Sequence, residues 1–280
     1  MLRTWFITGV NSGFGREMAQ QLLAQGERVA GTVRDLASVG DLASQYGDRF
    51  WTAQLDVTDV AAVKATVAKA FTELGRIDVV VNNAGYGLFG ITEGLSDEQI
   101  RHQLDTNLLG PIIVARTALP YFRAQGGGRF LVMSTYGGQA THPGAAMYHA
   151  SKWGLEGFFE ALGKEVASFN IEVTIIEPGG ARTDFRKSVG KHVGEHVTGY
   201  EGTPVGGLAA MVKNPDFIPK GDTAKMVSLM IETVAQTPAP SRLVLGADAY
   251  AAMQKGLSER LAIVETQKDL AHSTDVTEPA

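Results

Sequence analysis

The chain has 280 residues, of which 44% are hydrophobic, enough to bury the core of one large α/β domain or of two small ones. The net charge of -5, without a run of basic residues, argues against a nucleic-acid partner, and the absence of cysteine excludes disulfides and thiolate chemistry. The N-terminal segment lacks a signal-peptide pattern and no apolar stretch reaches the length of a membrane span, so we expect a cytoplasmic protein without a membrane partner.

A glycine-rich turn follows the first predicted strand, Thr4–Thr8, and leads into an amphipathic helix. Glycines allow a tight turn and a close backbone approach, and the start of a helix offers free N–H groups to an anion. The spacing Thr-Gly-x-x-x-Gly-x-Gly between a strand and a helix favours nucleotide binding over a plain turn. The candidate phosphate-binding residues are Gly9, Asn11, Ser12, Gly13, Phe14 and Gly15.

Arg34 follows the second predicted strand, Arg28–Val33, at the place where an acidic residue would bind the ribose hydroxyls of NAD. A guanidinium there pairs with a 2′-phosphate, so we predict that the chain prefers NADP(H) over NAD(H). Two alternatives remain open. Arg34 can be a solvated loop residue, and the neighbouring Asp35 can neutralise its charge.

Two further strand ends carry candidate ligand-binding residues. The third predicted strand, residues 50–55, ends at Asp56 and Val57, and the fourth, residues 77–81, opens into residues 82–85, which read Asn-Asn-Ala-Gly. Small and amide residues at the carboxyl end of a central strand suit a loop that packs against a ligand, although a plain turn explains them almost as well.

Ser96 and Gln99 form a predicted capping box at the start of the next helix, which carries Asn107. Asparagine inside a helix usually faces solvent. The apolar neighbours of Asn107, among them Leu104 and Leu108, indicate instead a buried stretch in which the amide needs hydrogen-bond partners.

Tyr148 and Lys152 lie near the start of an apolar helical run, after a fifth predicted strand, residues 129–133, that ends at Ser134 and Thr135. Residues at i and i+4 of a helix share one side, so the phenol and the ammonium can share a pocket. At a separation of about 4 Å the lysine charge would bring the tyrosine pKa from ~10 toward neutral and make it a proton donor or acceptor. An exposed helix pair is the alternative.

The other side of this helix carries the small residues Ala150, Gly157 and Ala161, together with Trp153. Small side chains let a second helix approach closely, so we predict a subunit contact on this face, in a homodimer or a homotetramer. Packing against the chain's own next helix is the alternative.

The sixth predicted strand, residues 172–176, is followed by residues 185–222, which lack periodicity and are predicted to form a substrate lid. A helix over residues 223–234 and a seventh strand, Arg242–Leu245, complete the pattern, and residues 269–280 form a polar tail.

The alternation of strands and helices predicts an α/β fold with one domain over residues 1–268. We expect a single-domain Rossmann fold, in which a doubly wound seven-stranded parallel sheet carries helices on both faces. No internal repeat divides it.

Six short sequence motifs follow one another along the chain between residues 4 and 246. They are Thr8-Gly9-x-x-x-Gly13-x-Gly15, Asn82-Asn83-Ala84-Gly85, Asn107, the Ser134/Thr135 strand end, Tyr148-x-x-x-Lys152 and Pro178-Gly179. With these motifs in register, the chain closely resembles the short-chain dehydrogenase/reductase family, in its single-domain branch. The residues from Gly137 to Tyr148 look most like the branch that includes hydroxysteroid and retinol dehydrogenases.

The resemblance implies hydride transfer between a nicotinamide cofactor and a carbonyl compound or secondary alcohol. Tyr148 would give or take the proton, Lys152 would lower its pKa and bind the nicotinamide ribose, and Asn107 would order a water that relays protons. The family's catalytic serine falls at Thr135, with Ser134 one residue earlier. Because side chains alternate along a strand, one of these hydroxyls faces the substrate, and Thr135 is favoured.

The resemblance also assigns contacts to the bound molecules. The glycine loop would hold the cofactor pyrophosphate, and the remaining cofactor contacts would be Asp56, Val57, Asn83, Ala84, Gly85, Tyr148, Lys152, Pro178, Gly179 and Thr183. An apolar substrate would meet Phe89, Tyr136, Met147 and Phe185, although core packing explains the first three as well. No metal site is expected.

Three functions are compatible with these residues. The leading one is an NADP(H)-dependent oxidoreductase. A catalytically silent NADP(H)-binding regulator is the second, and the intact Tyr148, Lys152 and Asn107 count against it. A redox-neutral enzyme of the same family, such as an epimerase, is the third.

Overall fold

The computed structural model describes residues 2–183, 185, 192–207 and 218–276. Its centre is one sheet of seven parallel strands with the order β3-β2-β1-β4-β5-β6-β7. The strands are β1 Thr4–Thr8, β2 Arg28–Val33, β3 Phe50–Gln54, β4 Val79–Asn82, β5 Gly128–Met133, β6 Ile171–Pro178 and β7 Arg242–Leu245. The predicted doubly wound, seven-stranded parallel sheet is confirmed.

Helices cover both faces of this sheet. In the described ranges they are α1 Gly13–Ala24, α2 Gly40–Tyr46, α3 Val60–Leu74, α4 Asp97–Leu104, α5 Gly110–Ala124, α6 Ala146–Val166, α7 Thr223–Thr233, α8 Ala247–Glu265 and α9 Lys268–His272. Met18 of α1 and Met230 of α7 belong to the core on one face, and Phe122 of α5 and Phe159 of α6 to the core on the other. None of these described helices is both long and apolar enough to cross a lipid bilayer.

The strand order reverses at the centre of the sheet. Strand β1 pairs with β2 on one side and with β4 on the other, and all pairs are parallel. In a sheet of this kind a ligand crevice opens beyond the carboxyl ends of the strands, next to the reversal. Gly9 after β1 and Asn83 after β4 therefore lie side by side at the opening of that crevice.

The C-terminal region contains a helix that the sequence pattern does not indicate. Helix α8 spans 19 residues, of which only Ala249 and Met253 are buried, and it has no side-chain N-cap. Because α8 has neither a buried apolar stripe nor a capping side chain, the sequence pattern does not predict a helix here. The short helix α9 stands where the polar tail is predicted to begin.

The predicted lid, residues 185–222, is described in part. Phe185 and residues 192–207 and 218–222 belong to the described residues, whereas the rest of the lid and residues 277–280 of the tail lie outside them. The described part contacts the body of the domain, since the Gly194 N–H donates to the Phe89 carbonyl at 2.9 Å. The domain, lid and tail boundaries stay predictions.

Candidate active site

The glycine-rich loop after β1 allows a close approach to an anion. Gly9 has a φ of +74°, which L side chains rarely adopt, and a Cβ at Gly15 would lie 2.2 Å from the Gly9 carbonyl oxygen and 2.3 Å from Asn83 Nδ2. Helix α1 begins at Gly13, and its N-cap residue Ser12 makes no side-chain capping bond. The N–H groups of the first helical turn are thus available to a phosphate.

Asn83 braces this loop from the end of β4. Its Nδ2 donates to the carbonyl oxygens of Thr8 and Gly9 at 2.8 and 2.9 Å. The Thr8 hydroxyl accepts the N–H groups of Asn83 and Ala84, each at 3.0 Å. The amide of Asn83 is therefore engaged within the protein, where it ties β4 to the glycine-rich loop.

A cavity of ≈ 520 Å³ extends from this loop to the start of α6. It collects residues that follow strands β1 to β6, because parallel strands bring their carboxyl ends to one edge of the sheet. The residues predicted from the sequence that line it are Gly9, Asn11, Ser12, Gly13, Phe14, Arg34, Asp56, Val57, Asn83, Ala84, Gly85, Phe89, Ser134, Thr135, Tyr136, Tyr148, Lys152, Pro178, Gly179, Thr183 and Phe185.

Three predicted residues are not among the described lining residues: Gly15, Asn107 and Met147. Gly15 acts through close packing beneath the loop. Met147 precedes Tyr148 on α6 and is not among the described lining residues, so its substrate contact stays a prediction.

Arg34 lines the cavity at the end of β2 and is exposed. The carboxylate of Asp35 accepts the N–H of Ala37 at 3.0 Å and caps the turn after β2. Among the described residues, Arg34 forms no ion pair with Asp35 or with any other acidic side chain within 4 Å. Its guanidinium is thus available to an anionic group in the cavity.

Tyr148 and Lys152 are both buried and line the same cavity. The Nζ of Lys152 lies 6.0 Å from the centre of the Tyr148 ring and donates to the carbonyl oxygen of Met133 at 2.7 Å. Burial raises the pKa of Tyr148, the neighbouring Tyr136 raises it further, and the Thr135 hydroxyl lowers it. Burial also lowers the pKa of Lys152 to about 8.

These directions overturn one expectation. The sequence predicts that Lys152 lowers the pKa of Tyr148 toward neutral. With the groups of the protein alone this prediction is wrong, because they raise the Tyr148 pKa. Both groups are buried, and burial disfavours the charged form of each. Tyr148 is therefore protonated at neutral pH, in the form that donates a proton.

The two hydroxyls at the end of β5 have different surroundings. The Thr135 hydroxyl faces the Tyr148 phenol and donates to the Pro178 carbonyl at 3.1 Å. The Ser134 hydroxyl donates to Oε1 of Glu156 at 2.5 Å, within the protein interior. Successive side chains on a strand point to opposite faces, which separates the two hydroxyls.

Asn107 lies in a single π-helical turn, residues 105–109, between α4 and α5. It is fully buried, and its amide is hydrogen-bonded, as the apolar neighbours indicate. Oδ1 accepts the Tyr86 N–H at 3.1 Å, and Nδ2 donates to the Tyr86 carbonyl at 2.8 Å and to the Ser151 hydroxyl at 3.3 Å. Asn107 thus holds the loop after β4 against α6. The proton relay through a water stays a prediction.

His149 connects the loop after β5 to α6. Its Nδ1 lies 2.8 Å from the Gly137 carbonyl oxygen and donates to it, which leaves Nε2 to accept the His142 N–H at 3.2 Å. Burial lowers the pKa of His149, so the ring is neutral at neutral pH. In this form it fixes the loop that precedes Tyr148.

Sequence reasoning misses several lining residues with polar rings: Tyr86, His102, His142, His149 and His192. The Tyr86 hydroxyl lies 2.8 Å from Nδ1 of His102, and the Tyr86 and His192 rings lie 4.4 Å apart. These residues come from separate loops and helices, with no spacing that connects them. The available signals are that Tyr86 directly follows the Asn-Asn-Ala-Gly run and that His149 directly follows Tyr148.

Comparison with known proteins agrees with this arrangement. Residues 3–194 match the family model described as short chain dehydrogenase. The chain is 34% identical over 250 residues to Oxidoreductase BOA17 of Botryotinia fuckeliana (strain B05.10), covering 89% of this chain and 90% of that protein. It is 36% identical over 190 residues to Retinol dehydrogenase 8 of Bos taurus, covering 65% of this chain and 60% of the relative.

A solved structure extends the likeness over nearly the whole chain. The crystal structure of a short-chain dehydrogenase from Streptomyces avermitilis superposes with a TM-score of 0.89 at 32% sequence identity, covering 99% of this chain and 100% of that one. The bovine relative agrees with the retinol-dehydrogenase likeness of the residues around Tyr148. The chain belongs to the short-chain dehydrogenase family, and it is an NAD(P)-dependent oxidoreductase of that family acting on CH–OH groups.

Proposed function

We propose that this protein transfers a hydride between NADP(H) and a carbonyl compound or secondary alcohol, with Tyr148 as the general acid and base. The observation that carries the proposal is one cavity with the phosphate-binding loop at one end and Tyr148, Lys152 and Thr135 at the other. A silent regulator has no physical need for a buried lysine beside a buried tyrosine, since burying each polar group costs free energy.

A bound nicotinamide cofactor would supply or accept the hydride, and the protein side chains handle the proton. In reduction, protonated Tyr148 donates its proton to the carbonyl oxygen. The Thr135 hydroxyl donates a hydrogen bond to the same oxygen in exchange for its bond to Pro178. In oxidation the Lys152 ammonium stabilises the phenolate, up to the pH of about 8 at which Lys152 loses its own proton.

The proposal is tested by NADPH consumption with a panel of apolar ketones and aldehydes, together with product analysis. Consumption of NADPH with an equal amount of alcohol formed supports the oxidoreductase. Saturable NADPH binding without turnover of any carbonyl compound favours the silent regulator. Product formed without a net change in cofactor indicates the redox-neutral enzyme.

The preference for NADP(H) rests on Arg34. We expect Arg34→Asp to lower the affinity for NADPH relative to NADH by about a hundredfold, equal to ~2.7 kcal/mol, because a charge-assisted pair with the 2′-phosphate is replaced by repulsion. Binding titrations of both cofactors measure this without a substrate. Arg101→Asp makes the same charge change at an exposed residue of α4 that does not line the cavity, and it serves as the control. An unchanged affinity ratio in Arg34→Asp would contradict the assignment.

The substrate end of the cavity narrows the substrate class. Aromatic and imidazole rings line it: Tyr86, Phe89, Tyr136, His142, Phe185 and His192. Rings favour an apolar body, and phenol and imidazole groups can exchange hydrogen bonds with polar substituents of a substrate. We therefore propose an apolar, ring-containing carbonyl compound that carries polar substituents.

The back face of α6 is the proposed subunit contact. Ala150, Gly157 and Ala161 are exposed, and Trp153 is 39% exposed beneath the Arg260 guanidinium of α8, which lies 4.6 Å from its ring centre, so the described chain covers this face only in part. We expect Gly157→Arg to convert a dimer or tetramer into a monomer in light-scattering measurements. The fold should tolerate the change, because a Cβ at Gly157 meets nothing within 4 Å and arginine favours helix more than glycine does.

The matched control is Gly40→Arg, where a Cβ also meets nothing within 4 Å. It lies at the start of α2, on the opposite side of the sheet from α6. An unchanged assembly in Gly157→Arg would contradict this contact.

The cytoplasmic location expected from the sequence also stays a prediction.

A further inference from the structure

Glu156 is a buried carboxylate behind the active site that the proposed chemistry does not use. It lies on α6 one turn beyond Lys152, and 1% of it is exposed. Its oxygens accept hydrogen bonds from Ser134 at the end of β5, from Gln139 in the following loop, and from Arg242 of β7. One carboxylate therefore joins three separate parts of the chain to the helix that carries Tyr148.

Arg242 is the cation that contacts Glu156, but it also contacts two other carboxyl groups. Nη1 of Arg242 donates to Glu156 and, at 2.6 Å, to Glu177, and Nη2 donates to Glu160 at 2.8 Å. Burial and the charge of Glu156 raise the pKa of Glu177 to about 7. One guanidinium is shared by three carboxyl groups, so the charge of Glu156 also acts on other cations nearby.

Lys152 is such a cation. Among the described residues it has no acidic side chain within 4 Å, and its Nζ donates to the Met133 carbonyl oxygen. The charge that acts on it is that of Glu156, which opposes the lowering of the Lys152 pKa by burial. Two further cations of the described residues lie near these carboxylates: Arg260 donates to Gln139 at 3.3 Å, and Lys164 pairs with Glu160 at 3.2 Å.

Glu156 also binds one of the two hydroxyls at the end of β5. Its bond to Ser134 holds that hydroxyl on the interior side of β5, and Thr135 then points to the opposite side, toward Tyr148. The packing leaves little freedom, because a Cβ on Gly138 would lie 1.8 Å from Oε1 of Glu156.

We propose that Glu156 is a positioning residue: its carboxylate is the countercharge of the Lys152 ammonium and the acceptor that holds the Ser134 hydroxyl, while the Thr135 hydroxyl stays toward Tyr148. The consequence for catalysis rests on the proposed function. The pairing of the Glu156 and Lys152 charges does not rest on the proposed function, and it can be measured separately.

The charge role is tested by nitrogen NMR titration of the Lys152 side chain in the protein without added cofactor, assigned with Lys152→Arg. Glu156→Gln keeps the side-chain volume and removes the charge. We expect it to lower the Lys152 pKa by about 1, the effect of losing one nearby opposite charge. Glu160→Gln removes a charge from the next turn of α6 and from the same Arg242, and we expect it to leave the Lys152 pKa unchanged.

The remaining outcomes are decisive as well. An unchanged Lys152 pKa in folded Glu156→Gln overturns the proposal. The proposal is also overturned if Glu156→Gln fails to fold while Glu160→Gln folds, because Glu156 would then serve the fold alone. Glu156→Asp keeps the charge, and a Lys152 pKa lowered as far as in Glu156→Gln would assign the effect to packing and overturn the charge role.

Turnover adds a functional readout. In carbonyl reduction, we expect the alkaline limb of the kcat/KM profile of Glu156→Gln to move to lower pH by as much as the Lys152 pKa falls. A wild type without turnover would contradict the proposed function and leave the NMR titration to decide the role of Glu156.

Discussion

Tyr148→Phe is expected to lower kcat for carbonyl reduction by about a thousandfold or more and to leave the affinity for NADPH unchanged. The substitution removes the phenolic oxygen that donates the proton and keeps the ring, which packs 5.7 Å from Phe89 and 5.9 Å from Phe185. NADPH absorbance measures turnover, and fluorescence titration measures cofactor binding.

The control for this substitution is Tyr250→Phe, which removes the same oxygen from a 61% exposed tyrosine on α8. It should behave as the wild type. Substantial remaining turnover in Tyr148→Phe would show that another group supplies the proton. Joint loss of turnover and of NADPH binding would instead indicate damage to the cavity.

Thr135→Val is expected to lower kcat by about a hundredfold, the usual cost of removing one hydrogen-bond donor to the reacting oxygen. Valine has the same shape as threonine and lacks the hydroxyl that faces Tyr148. Ser134→Ala should cost about fivefold or less, near ~1 kcal/mol, because Glu156 keeps its bonds to Gln139 and Arg242.

The two variants form a matched pair, since each removes one hydroxyl from neighbouring residues of the same strand end. Initial rates of NADPH consumption with one carbonyl substrate rank them directly. If Ser134→Ala lost more activity than Thr135→Val, the assignment of the substrate-facing hydroxyl to Thr135 would be wrong.

The parts of the site that lie close together in the chain follow from local rules. The glycine loop stands between β1 and α1, and Tyr148 and Lys152 share one side of α6, as their spacing predicts. Strand composition predicts the parallel sheet, because strands buried on both faces are nearly all apolar, as residues 79–81 of β4 are.

The electrostatic state of the site does not follow from spacing. The expected lowering of the Tyr148 pKa assumes a lysine charge in a partly solvated pocket. Burial reverses that direction, and burial of a particular side chain is decided by segments far away in the chain. Similarly, Asp35 stands beside Arg34 in the sequence, yet it bonds to the Ala37 N–H instead of forming an ion pair.

By itself the amino-acid sequence determined the fold class, the phosphate-binding loop, the proposed catalytic pair and the family resemblance, because these depend on residues within one or two turns of each other or on the apolar pattern of single strands. The tertiary structure alone decided that Arg242 reaches Glu156 from 86 residues away and that polar rings line the substrate end of the cavity. Such contacts join segments that local periodicity cannot relate, and they exist once the sheet has brought the strand ends together.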